Sequence, residues 1–229
     1  ELPFETRDRN SKTFWFNLFD RDESGVRKVF IQIKFSGIIE VPILLGGYEE
    51  LVEVEDESEL YGILFIGALL VMLLYNSFLG FFTKDVVYLY YTGYIFFILF
   101  ITAHVNNYPI LPQILGSYFT YEFLFLWISP VSIFMGLFII HYLELKTNAP
   151  RTAKVIMISA LGSFSIGLSN LFVPAAYLTN IFQVITVLVL IICLYASIVQ
   201  FMKGHKRAKF YLLGWSVNIL SVLVFMAVS

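Results

Sequence analysis

From Leu60 onward the chain reads as six long apolar segments divided by short polar stretches. They cover approximately Leu60–Phe82, Val86–Val105, Phe123–His141, Val155–Val173, Ile181–Met202 and Phe210–Val228, each 19–23 residues long. At about 1.5 Å rise per residue, a helix of that length crosses a hydrocarbon core of about 30 Å. Backbone polar groups in lipid must pair within their own segment, so the pattern predicts transmembrane helices. The separators are polar or turn-forming: Thr83-Lys84-Asp85, Asn106 to Glu122 with Pro109 and Pro112, Glu144 to Lys154 with Pro150, and Lys203 to Lys209. Six spans return the chain to the side on which it started, and the text stops at Ser229 in apolar sequence. A seventh span is therefore expected to follow.

Residues 1–59 carry a different pattern. Thr13–Phe19 and Val26–Phe35 alternate with period two, and in the second Val29, Ile31, Ile33 and Phe35 share one face. Asp20–Gly25 between them is a polar turn cluster, so the pair predicts a β-hairpin. Ile38–Leu45 is a third strand candidate, with Pro42 confining it to an edge or an irregular strand. Two or three strands do not make a stable domain. The expected division is therefore the C-terminal part of an extracellular β-sandwich with its linker at 1–59, then a transmembrane helical domain at 60–229. Glu49–Glu59 is acidic and is expected to form a helical lead-in to the membrane.

Composition agrees with the pattern. Hydrophobic residues make up 59% of the chain and charged ones 14%, well below the roughly 25% usual in soluble domains. Fourteen of the seventeen acidic residues precede Leu60, so the later segments have too little charge to face water. A net charge of −2 offers nothing to nucleic acid. Basic residues set the orientation. Lys84 lies in the first connection, Lys146, Arg151 and Lys154 in the third, and Lys203, Lys206, Arg207 and Lys209 in the fifth; the second and fourth carry none. The positive-inside rule then places the odd connections in the cytoplasm and the N-terminal segment outside.

The residues opening the membrane domain form a recognisable series. Tyr61-Gly62-Ile63 is followed by Met72-Leu73-Leu74-Tyr75-Asn76-Ser77-Phe78-Leu79, then by Lys84-Asp85 and Tyr88-Leu89-Tyr90-Tyr91. This series resembles the bacterial seven-transmembrane receptors with diverse intracellular signalling modules. Leu2-Pro3-Phe4, Val29–Phe35 and Pro42-Ile43-Leu44 look like the end of that family's extracellular jelly-roll sensor domain. The resemblance implies a sensory receptor in the inner membrane. Its extracellular sandwich would bind a carbohydrate-like or other small ligand, and it would signal as a homodimer. Its cytoplasmic output, a histidine kinase, a cyclase or a phosphatase, would lie outside these residues.

Several individual polar residues admit both a structural and a functional reading. Tyr75 and Asn76 near the inner end of the first span are expected to hydrogen-bond the second span, with coupling as the sharper reading. His104, Asn106 and Asn107 at the outer end of the second span, with Glu122 before the third, read as helix-capping interfacial residues. The sharper reading is an outward pocket or a docking face for the sensor domain. One His and one carboxylate do not make a metal site. No cofactor is implied. His141 and Glu144 beside Lys146 read as an anchor, with a proton-linked switch as the alternative. Ser159, Ser163 and Gly167, with Gly162 nearby, offer close helix approach within the bundle or between copies. Gln183, Gln200, Asn170 and Asn218 stand as isolated amides, and Cys193 as a lone cysteine.

No phosphate loop, nucleophile elbow, zinc-protease motif or paired intramembrane carboxylate is present. That weighs against catalysis in this segment. The alternative from another class is a transporter or membrane-embedded transferase acting on an apolar or neutral substrate.

Overall fold

A computed structural model describes residues 43–106, 124–214 and 216. Residues 43–47 are neither helix nor strand, and everything described after them is helix or short turn. The elements are α1 (Tyr48–Thr83), α2 (Val86–Val105), α3 (Leu124–Tyr142), the single turn α4 (Leu145–Asn148), α5 (Pro150–Ser169) and α6 (Ala175–Met202). The chain is helical again over 206–214. Among the described residues five helices are long and apolar enough to cross a membrane. The expected hairpin, most of the third strand and most of the sixth span lie outside the described residues.

Three expected boundaries are corrected. The first span is not a separate helix beginning at Leu60: α1 runs 36 residues from Tyr48 and takes in the acidic lead-in. Nothing between Gly47 and Lys84 breaks it, because the acidic stretch has neither proline nor glycine and Glu is a good helix former. The fourth span ends at Ser169 instead of Val173. Asn170 turns the chain there, its Nδ2 donating to the Val173 carbonyl at 3.2 Å. The fifth span begins at Ala175, directly after Pro174, so the stretch expected to be a connection up to Asn180 is already helical. Hydropathy places that start six residues late, at Ile181, since Thr179 and Asn180 dilute the apolar signal without disturbing the helix.

The turn between α1 and α2 is built by local chemistry. Lys84 takes the left-handed conformation (φ 54°, ψ 22°) and its N–H bonds the Gly80 carbonyl. Asp85 then caps α2, its carboxylate accepting from the Val87 N–H at 2.9 Å. Such a cap contributes about 1 kcal/mol.

Neighbours in sequence are neighbours in space. At the first turn Gly80 passes close to Tyr88, where an added Cβ would sit 3.3 Å from the tyrosine Cβ. Between α2 and α3 an aromatic series runs in antiparallel register. Tyr90 meets His141 at 4.8 Å, Tyr91 meets Phe138 at 5.1 Å, Phe97 meets Phe134 at 5.6 Å and Phe100 meets Trp127 at 5.2 Å between ring centroids. Gly93 makes room for the Phe134 ring, which occupies the place of a Cβ there.

α3 and α5 approach more closely still. A Cβ on Gly136 would lie 3.2 Å from the Ala160 Cβ, and one on Gly167 would overlap Ser129. The buried face of α5 is Ala153, Ile156, Ala160, Ser163 and Gly167, alternating three and four residues apart. The expected small-residue face is thus real but rotated. Ser163 and Gly167 belong to it, whereas Gly162 faces open space. The stripe packs inside the bundle against α3. At the α4 end, Ile139, Ile140, Leu145, Ile156, Cys193 and Ala196 form the apolar core.

Pro130 sits inside α3 and has no N–H for the carbonyl of Leu126. The hydroxyl of Ser129 donates to that carbonyl at 3.3 Å, replacing part of the lost bond. Such re-satisfaction is what lets proline persist in helices surrounded by lipid.

Candidate functional site

The two expected polar groups sit near opposite ends of the bundle. Tyr75 and Asn76 lie about two turns before the end of α1 at Thr83. His104 and Asn106 lie at the other end of α2, about 27 Å from its start at 1.5 Å per residue. No single pocket can therefore contain both.

Adjacent helical positions point about 100° apart, which separates Tyr75 from Asn76. Tyr75 is 61% exposed and faces outward; Asn76 is 8% exposed and faces inward. The Nδ2 group of Asn76 donates to the Met72 carbonyl of its own helix at 2.8 Å. The expected hydrogen bond to the second span is not the one formed. An Asn four residues beyond a carbonyl reaches back along the helix more readily than across to a neighbour.

At the far end the capping reading describes Asn106. Its side-chain Nδ2 and its backbone N–H both donate to the Thr102 carbonyl, at 2.8 and 3.0 Å, closing the last turn of α2. His104 is buried at 3% exposure on the same turn. Asn107 and Glu122 lie outside the described residues, and so does any pocket or docking face they would complete.

The end that carries the basic connections is more closely tied together than the sequence suggests. His141 closes α3 with its ring against Tyr90 of α2. Its Nδ1 faces the Leu137 carbonyl at 2.9 Å, which requires the proton on that nitrogen. Nε2 is then free to accept from the Lys146 ammonium at 3.2 Å. Three residues later Glu144 turns the chain in the left-handed conformation, φ 52° and ψ 38°. Its carbonyl receives Thr147 Oγ1 and the N–H groups of Thr147 and Asn148.

The Glu144 carboxylate pairs with Arg207 at 2.9 Å. This contact joins the third connection to the fifth across more than 60 positions of sequence, and the Tyr90–His141 contact brings the first connection to the same end. The grouping of odd connections expected from their basic residues is thereby matched in space.

Beneath this layer, Gln200 of α6 is 0% exposed. Neither its Oε1 nor its Nε2 has a hydrogen-bond partner among the described residues, and the same holds for Asn148 Nδ2. Leaving one buried amide unpaired costs about 1–3 kcal/mol. Sequence reading passed over Gln200 as an isolated amide. Its position one turn above a basic boundary was the available signal, but the nearness of Asn148 was not readable from spacing. Among the described residues no three His, Cys, Asp or Glu side chains gather closely enough to hold a metal.

The arrangement therefore offers a helical bundle cross-linked by polar contacts at its basic end. A 36-residue helix enters it from the acidic side. Residues 58–229 match the family model described as 7TM diverse intracellular signalling. No curated protein and no solved structure matches the chain.

Proposed function

Since the chain belongs to this family of signalling membrane receptor domains, we propose that it relays an extracellular ligand signal to a cytoplasmic output module through displacement of α1. The observation that carries the proposal is the continuity of α1. At 1.5 Å per residue its 36 residues extend about 54 Å, against a hydrocarbon core of about 30 Å. Most of the excess is the acidic part that precedes Leu60, whose 12 residues from Tyr48 span about 18 Å. A rigid helix passes a shift or rotation applied at its start directly into the membrane, and bundles convert such motions into discrete rearrangements.

Within this reading residues 1–59 comprise the end of a β-sandwich sensor for a carbohydrate-like or other small molecule and, from Tyr48, the helical linker that joins it to the bundle, outside the inner membrane of a bacterium. The basic end faces the cytoplasm, following the positive-inside rule, and two copies act together. Asn76 serves as a coupling residue where α1 leans on α2, while His104, Asn106, Asn107 and Glu122 form the outer face that receives the sensor.

Helical phase supplies the test. Inserting one, two, three or four alanines between Glu55 and Asp56 rotates the preceding residues by about 100° each relative to the bundle. In the full-length receptor the phosphorylation or cyclic-nucleotide product of its output module is expected to rise and fall with the helical period. Equal output from all four insertions overturns the proposal.

A further inference from the structure

Where α5 begins and α6 ends, a cleft of about 300 Å³ opens at the basic end of the bundle. Gln200 and Asn148 both line it. They are also the two residues of this region whose buried amide atoms have no partner among the described residues. Native proteins rarely leave buried polar atoms unpaired, and two such amides on one cleft indicate a guest that pairs with them.

The guest's charge follows from the rim. Arg151 and Lys203 line the cleft with exposed side chains, and no Asp or Glu lines it. α5 opens at Pro150 without any side-chain cap. The first-turn N–H groups of Arg151 and Thr152 thus lack intrahelical acceptors at the positive end of a 20-residue helix. Two cations, two amides and a bare helix N-terminus together present donors around one small volume, an arrangement suited to a tetrahedral oxyanion. Exposed Tyr195 forms part of the same wall on the apolar flank of α6, so the cleft borders the surface where hydrocarbon ends and head groups begin.

We propose that this cleft binds a phosphate anion. Arg151 and Lys203 neutralise its charge, and Gln200, Asn148 and the first turn of α5 donate hydrogen bonds to its oxygens. A phospholipid head group and free phosphate share this chemistry. Lys206 and Lys209 lie outside the cleft and attract an anionic surface without selecting a group on it.

The full chain in detergent micelles is titrated with phosphatidylglycerol and read by native mass spectrometry, and in parallel with inorganic phosphate read by calorimetry. R151Q/K203Q, whose substitutions lie on exposed side chains, is expected to weaken binding of one or both probes about tenfold or more, and K206Q/K209Q less than about twofold. Gln200→Leu is expected to weaken the same probe; if that variant does not fold, Asn148→Ala is read in its place. Lipid binding alone assigns a head-group site, and binding of inorganic phosphate assigns a soluble phosphate. Equal binding by wild type and R151Q/K203Q overturns the proposal, as does equal loss in K206Q/K209Q. Undiminished binding in both amide variants overturns it too.

Discussion

Ser129 stands where the Cβ of any residue replacing Gly167 would have to go. The carbonyl of Phe125 lies only 2.7 Å from the same point, so α3 and α5 touch backbone to backbone there. Gly167→Ala is therefore expected to destabilise the bundle by about 1–3 kcal/mol, the usual cost of overpacking. Gly162→Leu, five residues earlier on the open side, is expected to stay within about 0.5 kcal/mol. Reversible unfolding in mixed micelles measures both. Equal losses at the two glycines would remove the asymmetry between the faces of α5.

The neighbouring proline gives a second measurement. Ser129 supplies the donor that Pro130 withholds from the Leu126 carbonyl. Ser129→Ala should cost about 1 kcal/mol in the native background and less when Pro130→Ala has restored the backbone N–H. A coupling of about 0.5–1.5 kcal/mol in the double-mutant cycle is expected, and strict additivity would show that the hydroxyl does not compensate for the proline.

Glu144 combines a left-handed backbone with an exposed ion pair, and the two features pull its substitutions in opposite directions. Glycine removes the conformational cost of about 1–2 kcal/mol and forfeits a pair worth about 0.2–1 kcal/mol. Glu144→Gly is expected to be neutral or slightly stabilising, while Glu144→Val loses on both counts. Thermal denaturation of the two variants side by side checks the order, and a more stable valine variant would contradict it.

His141 touches α2 through its ring face and Lys146 through Nε2. His141→Phe keeps the aromatic contact with Tyr90, worth about 0.5–1.5 kcal/mol, and loses only the polar contacts of the imidazole with Lys146 and the Leu137 carbonyl. His141→Ala loses both. The alanine variant is expected to be the less stable of the two by roughly that margin in micelle unfolding. Equal stabilities would mean that the ring contact contributes nothing.

The sequence alone determined that the chain crosses a membrane several times, where most spans lie, and which connections gather at one end. These follow from a solvent that cannot hydrogen-bond: lipid forces each span into a helix, whatever its detailed order, and confines charge to the connections. The extent of α1 was partly readable, since its acidic lead-in carried no helix breaker. Hydropathy could not say which side of an apolar helix faces its neighbours, because lipid and protein interior are nearly alike in polarity. Tertiary structure decided that Gly167 meets Ser129 while Gly162 meets nothing, and that Asn76 bonds its own helix. It also placed Glu144 beside Arg207, and Gln200 on one cleft with Asn148. Those relationships depend on the angle and distance at which whole helices pack, a property of pairs of surfaces that residue spacing within one segment does not contain.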